Sequence, residues 1–270
     1  MTFLGKKVAV AIPDTVLEER DSTREKTTKL GLIARACAIY GVDLVEVFRD
    51  PRGKGESKRI TKVLEYLETP QYLRRRVFPL DEDLKYAGLL PPLRTPSHKP
   101  RVSLQDLEVG EIREGVTNAD GSVDVGLDRA PLLRGKTRAD VRVTVKITSK
   151  NPLTAEPVTR DAVKEYWGYL VESRTLDDTL GDARFPLKIA TSRLGDPLKS
   201  QLPPLREAFS RNSQLMLLFG SPSRGLFDLV GPRLRERVDF VVNLFAEQNV
   251  QTVRMEEAVF AALGLLGFLS

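Results

Sequence analysis

The sequence contains few of the residues that enzymes most often use for chemistry. Its 270 residues include one cysteine, Cys37, and one histidine, His98. A single cysteine excludes an internal disulfide and a cysteine cluster, and a single histidine leaves no basis for a histidine-rich metal site or a catalytic triad. Cys37 lies among apolar residues at helical spacing, so we interpret it as a buried thiol rather than a reactive one. We expect no metal, and a chemistry that does not need these residues.

Long hydrophobic runs are missing too. The apolar part of the first 13 residues is too short for a secretion signal, and no small-residue cleavage site follows it. The longest apolar segment, residues 258–269, is shorter than the roughly 20 residues that a membrane-spanning helix requires. These absences predict a cytoplasmic protein that does not enter a membrane.

Acidic residues are outnumbered by basic ones. Lys and Arg total 42, Asp and Glu total 37, and the net charge is +5. This balance permits an anionic partner, and nucleic acid is the leading candidate. Two basic runs could bind RNA, although each could equally be a solvated helix face. The runs comprise Arg49, Arg52, Lys54, Lys58 and Arg59, and then Arg74, Arg75 and Arg76 beside Tyr72.

The alternation of patterns along the chain predicts an α/β fold. Residues 7–12 and 42–48 have the composition of strands, and apolar residues at helical spacing follow each of them, at residues 22–40 and from residue 57. Strands that alternate with helices form a parallel sheet covered by those helices. The same pattern resumes later in the chain. We predict strands at residues 166–171, 187–190, 215–219 and 238–244, and helices at 203–210 and 253–269.

Proline-rich segments flank a stretch of different texture. Residues 89–100 contain four prolines, which exclude regular elements there, and a second proline-containing joint spans residues 149–157. Between these joints, short alternating segments rich in β-branched residues predict a small β-barrel. These segments are residues 111–116, 122–127 and 141–147. We therefore predict a discontinuous α/β domain, residues 1–91 and 158–270, and an inserted domain, residues 92–157.

Three of the predicted strands end in loops of similar character. The first loop lies within residues 188–195, the second loop within residues 219–225, and the third loop within residues 241–258. In an open α/β sheet, ligands bind beyond the carboxyl ends of the strands, where exposed backbone groups converge. We therefore expect these three loops to form one pocket.

The second loop resembles half of a phosphate-binding motif. Gly220 and Gly225 match the glycines of G-x-x-x-x-G-K-[ST], but Leu226 and Phe227 replace the lysine and the hydroxyl that handle a nucleoside triphosphate. Glycines allow the backbone to approach a ligand closely, which suits recognition of an adenine edge or a ribose by main-chain groups. The missing lysine then indicates a different ligand.

The third loop leads into a predicted helix start. Thr252 can cap a helix whose first turn carries Glu256 and Glu257, a placement that the helix dipole favours. The same pattern also suits a helix start with no role in binding, and the residues leave both alternatives open.

Three strings in the sequence resemble the three cofactor loops of the SPOUT class of RNA methyltransferases. They are ATSRLG, LLFGSPSRGL and VVNLFAEQNVQTVRMEEAVFAAL. Further strings, KLGLIARACAIYGVD, YLETPQYLRRRVFP, DLKYAGLLPPL and YWGY, are similar to one archaeal and eukaryotic branch of that class. Members of this branch have a trefoil-knotted α/β domain with an inserted OB-fold. The likeness spans nearly the whole chain. One departure is the first loop, where relatives often have T-S-E-R-G and this chain has T-S-R-L-G.

This resemblance implies an enzyme that uses S-adenosylmethionine (SAM) to methylate RNA. It also implies a deep knot near the carboxy terminus, an obligate homodimer and ribosomal RNA (rRNA) as the substrate, with ring nitrogen 3 of a uridine methylated in the human relative. A methyl group on a sulfonium is already activated, so its transfer needs neither a metal nor a covalent enzyme intermediate. By motif position, the first loop is residues 191–195, the second residues 219–224 and the third residues 243–254. The implied cofactor-binding residues are Thr191, Ser192, Arg193, Phe219, Gly220, Ser221, Gly225, Asn243, Leu244, Thr252 and Val253.

Three arginines are candidates for the methyl-transfer step. Neutral uridine is a poor nucleophile, and a nearby guanidinium would stabilise the ring once its proton has left. The resemblance implies this role for Arg35, which matches an arginine of the first motif. Arg224 and Arg254, in the second and third loops, are further candidates, although each could simply form an ion pair with Glu256 or Glu257.

Other functions remain compatible with the sequence. The chain could be an RNA-binding or ribosome-assembly protein that keeps the knot without turnover, or a methyltransferase that acts on protein. Phosphoryl transfer is disfavoured, because the second loop lacks the lysine and no carboxylate follows a predicted strand in the manner of a magnesium ligand. OB-folds commonly bind single-stranded nucleic acid, so the insert could select the RNA. Its basic residues are Arg134, Lys136, Arg138, Arg142 and Lys146.

Overall fold

The computed structural model describes residues 5–17, 20–135 and 137–269. Contacts divide the chain into two compact units. The larger unit contains the described residues up to Glu65, the segment Asp83–Pro91 and the described residues from Tyr169 onward. The smaller unit contains Tyr66–Glu82 and Pro92–Gly168. Its second segment begins at residue 92, like the predicted insert, but continues to Gly168, and the unit also includes Tyr66–Glu82. The predicted limits, residues 92–157, stay a prediction.

The described helices and strands alternate along most of the chain. Their order and bounds are β1 (Lys7–Pro13), α1 (Thr23–Ile39), β2 (Leu44–Arg49), α2 (Ser57–Glu68), α3 (Gln71–Val77), β3 (Ile112–Thr117), β4 (Val123–Asp124), β5 (Leu132–Leu133), β6 (Arg142–Lys150), β7 (Leu153–Pro157), β8 (Leu170–Thr175), α4 (Leu176–Leu180), β9 (Leu187–Pro197), α5 (Leu198–Arg211), β10 (Gln214–Leu218), α6 (Leu226–Val230), α7 (Leu234–Arg237), β11 (Phe240–Asn243) and α8 (Met255–Leu269).

The larger unit is built on a six-stranded sheet whose strand order is β11-β9-β10-β1-β2-β8. Every neighbouring pair is parallel, as the alternation of strands and helices predicts. The central strand β1 is buried along almost its whole length. Helix α1 starts where the sequence indicates, because Ser22 caps it and Glu25 completes a capping box. The predicted α/β fold with a parallel sheet is confirmed.

One edge of this sheet has an unusual pairing. Strand β9 extends beyond its predicted end at residue 190, and β11 pairs with it on both sides of the first loop. Val241 faces Ala190, whereas the next residue, Val242, faces Asp196. Residues 191–195 therefore leave the sheet between two pairings with the same strand. Gly195 lies so close that an added Cβ would be 2.7 Å from the carbonyl oxygen of Val241.

Several predicted boundaries are wrong. The proline-containing joint at residues 149–157 includes strand β7, which pairs with β6. The strand predicted at residues 166–171 is displaced to Leu170–Thr175, and helix α5 starts five residues before the predicted residue 203. In the third loop, Thr252 does not cap the following helix. Helix α8 begins at Met255, and Glu257 accepts a hydrogen bond from the backbone amide of Arg254.

The smaller unit contains a five-stranded sheet with the order β4-β3-β6-β7-β5. Its pairs are antiparallel except for β5 and β7. Val123 and Leu133, in the two edge strands, donate backbone hydrogen bonds to Pro131 and Gly121. Apolar side chains of these strands and of the segment just after β4 form the core of the unit. They include Val123, Val125, Val145, Ile147 and Ala155.

A buried ionic cluster also holds the smaller unit together. The guanidinium of Arg142 donates to Glu68 at 2.6 Å and to Glu114 at 2.7 Å, and Arg160 lies 3.0 Å from Glu68. The indole Nε1 of Trp167 donates to Glu114. Burial raises the pKa of Glu68 in spite of these cations, whereas at Glu114 the arginines outweigh burial and lower the pKa. The cluster joins the end of α2 to strands β3 and β6.

We expect the Arg142→Met variant to be destabilised by about 3 kcal/mol, because removing one member of a buried ion pair leaves its partner uncompensated. Arg129→Met, which removes an exposed arginine of the same unit, is the control. Urea unfolding of the full chain measures both variants. Equal transition midpoints for the two would show that the cluster contributes no net stability.

Cys37 and part of the second basic run are buried, and His98 is partly buried. Cys37 is fully buried, which raises the pKa of its thiol to about 12 and confirms it as a buried thiol. Burial lowers the pKa of His98 to about 4. In the second basic run, Tyr72 is buried and donates to the carbonyl of Glu114, and Arg74 is buried and donates to backbone carbonyls, so these two side chains do not face an RNA. Arg75 and Arg76 of the same run are exposed, and RNA binding by them stays a prediction. No helix within the described ranges has the length and apolarity needed to cross a membrane.

Candidate functional site

The three loops surround one cavity at the carboxyl ends of β10 and β11 and at residues 191–195, where β9 leaves the sheet. Its volume is about 250 Å³. Parallel strands bring their carboxyl ends to the same edge of the sheet, which explains why segments so distant in sequence meet here. The loops predicted to form one pocket are therefore close together in the structure.

The first and third loops are tied to each other by hydrogen bonds. The side-chain amide of Asn243 donates to the carbonyl of Arg193 at 3.0 Å, and its oxygen accepts from the amide of Phe245. The side chain of Gln248 donates to the carbonyls of Val250 and Gln251 at 2.8 and 3.3 Å. Asn243 thus fixes the point at which both loops leave the sheet.

The second loop is closed by its own polar groups. The amide of Ser221 donates to the carbonyl of Arg224 at 2.8 Å, and the Ser221 hydroxyl accepts from the amide of Arg224. The amide of Gly225 donates to the carboxylate of Asp228, which caps the short helix α6. Gly220 has no space for a side chain, because an added Cβ would lie 2.8 Å from the Cα of Gly225. The loop turns back on itself tightly.

The chemistry of the lining suits a largely uncharged polar ligand with a flat apolar part. Hydroxyl and amide groups line the cavity together with apolar side chains, and among the described lining residues the charged ones are Arg193 and Asp228. A triphosphate needs several fixed cations, which this set does not supply. The hydroxyls and amides are those of Thr191, Ser192, Ser221, Ser223, Asn243, Gln248, Gln251 and Thr252, and the apolar residues include Phe219, Phe227, Leu244, Val253, Met255 and Ala258.

All eleven predicted cofactor-binding residues line this cavity. The three predicted catalytic arginines are absent from its lining. Arg35 is exposed on α1 and Arg254 is exposed just before α8. The predicted ion pair of Arg254 is replaced by a contact of its backbone amide with Glu257. These three roles stay predictions, as do the cofactor contacts.

Arg224 is held by a carboxylate that the sequence analysis did not single out. Its Nε and Nη2 atoms donate to Oδ2 of Asp50 at 3.1 and 2.8 Å. Asp50 is almost fully buried directly after β2, and its pKa is lowered because hydrogen bonds, that from Arg224 foremost, outweigh its burial. Asp14 occupies the equivalent place after β1. Both carboxylates follow strands, and that position is the signal that could have found them.

The positions of Asp14 and Asp50 do not support phosphoryl transfer as the function. The Oδ2 atom of Asp50 accepts from Arg224 and Thr15, and its Oδ1 atom accepts from the amide of Arg52. The Oδ1 atom of Asp14 accepts from the amide of Asp50 at 2.9 Å. These oxygens serve the protein's own donors. Within the described residues, moreover, no three histidine, cysteine or carboxylate side chains are grouped so that they could hold a metal ion.

Comparisons with known proteins agree on one kind of enzyme. The model of a family described as "Putative RNA methyltransferase" matches residues 7–266. A protein of Halobacterium salinarum is 34% identical over 96% of this chain and 98% of its own length. The 28S rRNA (uridine-N(3))-methyltransferase of the mouse is 32% identical over 96% of this chain and 75% of the mouse protein. The human protein of that name is 31% identical over 96% of this chain and 77% of its own length.

Proposed function

Because the chain belongs to the RNA methyltransferase family whose model covers residues 7–266, we propose that it uses SAM to methylate rRNA at ring nitrogen 3 of a uridine. The printed names of the mouse and human relatives support this substrate and this atom. The observation that carries the proposal is the convergence of the three loops on one cavity poor in cations. Its lining fits a nucleoside cofactor better than a triphosphate.

The residues of the cavity fit the parts of SAM. Main-chain groups around Gly220 and Gly225 and the hydroxyl of Thr191 offer donors and acceptors for an adenosine, and Leu244 and Val253 offer apolar contacts for its ring. The cofactor supplies an activated methyl group. What remains for the protein is to position the uridine and to stabilise its deprotonated ring, which is the proposed role of Arg35, Arg224 and Arg254.

We assign the larger unit to the SPOUT class with a trefoil knot at the carboxyl end. The double pairing of β11 with β9, on both sides of the first loop, supports this assignment. The close approach of Gly195 to Val241 supports it as well, since the chain passes there without space for a Cβ. We assign the smaller unit, with its five-stranded sheet, to an OB-fold-like insert.

A homodimer is part of the proposal. Helices α1 and α8 pack together through the rings of Tyr40 and Phe260, and both carry exposed apolar side chains. Leu32 on α1 is 50% exposed and Phe268 on α8 is 83% exposed. A second copy of the chain would cover them. Arg35 lies three residues from Leu32 on the same helix face, so the dimer would bring this arginine to the interface.

We propose that the smaller unit helps to select the RNA. We also propose that the protein acts in the cytoplasm. Arg134, Arg138 and Lys146 are exposed, whereas Arg142 belongs to the buried cluster. Lys136, which the sequence analysis includes with them, lies outside the described residues. Single-stranded RNA binds to such units through its phosphates and bases.

The test is transfer of labelled methyl from SAM. We expect the purified chain to methylate large-subunit rRNA taken from cells that lack this protein. Mapping of the product should locate the label at one uridine. Ribosomal proteins, incubated separately, are expected to stay unlabelled. Label in the proteins alone would replace RNA by protein as the substrate, and RNA binding without label would favour an assembly role.

A further inference from the structure

A loop with four exposed cations follows strand β2 at the carboxyl edge of the sheet. We call residues 49–58, from the last residue of β2 to the second residue of α2, the basic loop, and its exposed cations are Arg49, Arg52, Lys54 and Lys58. No ion pair between described residues involves these four. Arg59, the fifth cation of this sequence run, is paired with Glu56 at 2.6 Å and with Asp83 at 2.8 Å. The structure thus separates four available cations from one that serves the fold.

Hydrogen bonds to Asp14 and Asp50 hold the backbone of the basic loop in place. Asp14 accepts the amide of Asp50 through its side chain and the amide of Glu56 through its carbonyl. Asp50 accepts the amide of Arg52 at 2.8 Å. Glu56 in turn pairs with Lys26 of α1. Both ends of the loop are therefore tied to buried groups, while its cationic side chains are exposed.

Two glycines let the basic loop lie directly on these carboxylates. An added Cβ at Gly55 would be 1.9 Å from Oδ2 of Asp14. At Gly53 it would be 2.4 Å from a methyl group of Thr15 and 2.5 Å from Nη2 of Arg224. The loop is packed without space for a side chain at either position, so its exposed cations are carried by a constrained backbone.

The basic loop is also joined to the wall of the cavity. Asp50, its second residue, accepts both hydrogen bonds from the guanidinium of Arg224 in the second loop. Pro222 and Ser223, which precede Arg224 in that loop, line the cavity. The basic loop is therefore linked to the cavity wall through the ion pair of Asp50 with Arg224. In the second basic run, by contrast, Arg74 is buried and Arg76 pairs with Asp140 at 2.9 Å, although Arg75 is exposed.

We propose that the basic loop binds the phosphates of single-stranded RNA beside the nucleotide to be methylated. This inference rests on the proposed function. Exposed cations on a constrained loop suit phosphodiesters, which are recognised through charge and not through sequence. The loop presents no exposed aromatic side chain for stacking, so it holds the backbone of the RNA and leaves the base to the cavity.

The test compares two double variants that each remove two positive charges. Arg52→Gln with Lys54→Gln changes the basic loop, and Lys199→Gln with Arg206→Gln changes two exposed cations of α5. The probe is a fluorescent oligouridylate of about 12 nucleotides, titrated between roughly 50 and 200 mM salt. We expect the loop variant to bind about tenfold more weakly and the slope of log affinity against log salt to fall by about 1.4, since each single-strand phosphate contact contributes about 0.7.

Affinity for SAM, measured on the same proteins by calorimetry, separates this inference from the proposed function. We expect all three proteins to bind SAM equally, since neither pair of cations lines the cavity. Equal RNA affinities and slopes for the two double variants would overturn the role of the basic loop. A loop variant that loses SAM binding as well, or an unmodified protein that does not bind the oligouridylate, would also overturn it. An unmodified protein that does not bind SAM would overturn the proposed function itself.

Discussion

Replacing Gly220 by alanine is expected to weaken SAM binding at least about tenfold, a loss of about 1.4 kcal/mol. The added Cβ would lie 2.8 Å from the Cα of Gly225, 2.9 Å from the amide nitrogen of Leu226 and 3.0 Å from the carbonyl oxygen of Arg224. All three are backbone atoms, so no side chain can rotate away and the second loop must open. Calorimetric titration with SAM measures the effect.

Gly225→Ala is the matched control for this prediction. An added Cβ there would meet only Oδ2 of Asp228, at 3.6 Å, which is an ordinary van der Waals distance. We expect this variant to bind SAM within a few-fold of the unmodified chain. Both variants should keep the circular dichroism of the fold, because the second loop lies outside the strands. If Gly220→Ala binds SAM as tightly as Gly225→Ala does, the closed loop does not shape the site.

Replacing Gly195 by alanine is expected to destabilise the larger unit by about 3 kcal/mol, the upper part of the range for overpacking a core. The Cβ would lie 2.7 Å from the carbonyl oxygen of Val241 and 2.8 Å from the carbonyl carbons of Val241 and Val242. These atoms belong to β11, which is held by β9 on both sides of the first loop. The strand cannot shift without losing one of its two pairings.

Thermal and urea unfolding of the full chain measure this second effect. Leu194→Ala is the neighbouring control, because Leu194 is 69% exposed and its truncation should change stability little. SAM binding should fall together with stability in Gly195→Ala, since the first loop lines the cavity. Unfolding midpoints equal to those of Leu194→Ala would contradict the close approach of the two segments.

The sequence predicts the larger unit well where local patterns decide the structure. The helix from Thr23 has a capping residue, an amphipathic face and a glycine just beyond its end, and it forms within a residue of the predicted limits. The parallel sheet follows from the alternation of strands and helices. The three loops could be predicted to meet because the carboxyl ends of parallel strands share one edge.

Contacts between distant segments explain most of the failures. Strand β7 looks like a joint because prolines flank it, and only its pairing with β6 makes it a strand. The continuation of β9 to Pro197 depends on β11, more than 40 residues later. Helix α5 contains Pro203 and Pro204, which the sequence indicates as a start, although the structure has an earlier turn. No local window contains this information.

In the site, too, local patterns in the sequence reveal some residues, whereas others depend on contacts between distant segments. The glycines and polar residues of the three loops stand out in the sequence, whereas Asp50 is hidden inside a basic run. Its importance depends on Arg224, 174 residues away, which reaches it across the sheet edge. Tyr72 is the opposite case, because an aromatic residue beside three arginines suggests a surface and the structure buries it. The roles of both residues depend on burial and on partners that are distant in the sequence.

The order in which the cavity walls occur along the chain has a consequence for biosynthesis. Its last wall runs from Asn243 to Ala258, close to the final helix. A nascent polypeptide that ends before this stretch lacks one wall of the cavity, and its strand β9 lacks the neighbouring strand β11. Translation products that stop early should therefore be unable to sequester the methyl donor. A shortened copy that lacks this stretch therefore cannot act as a partial enzyme.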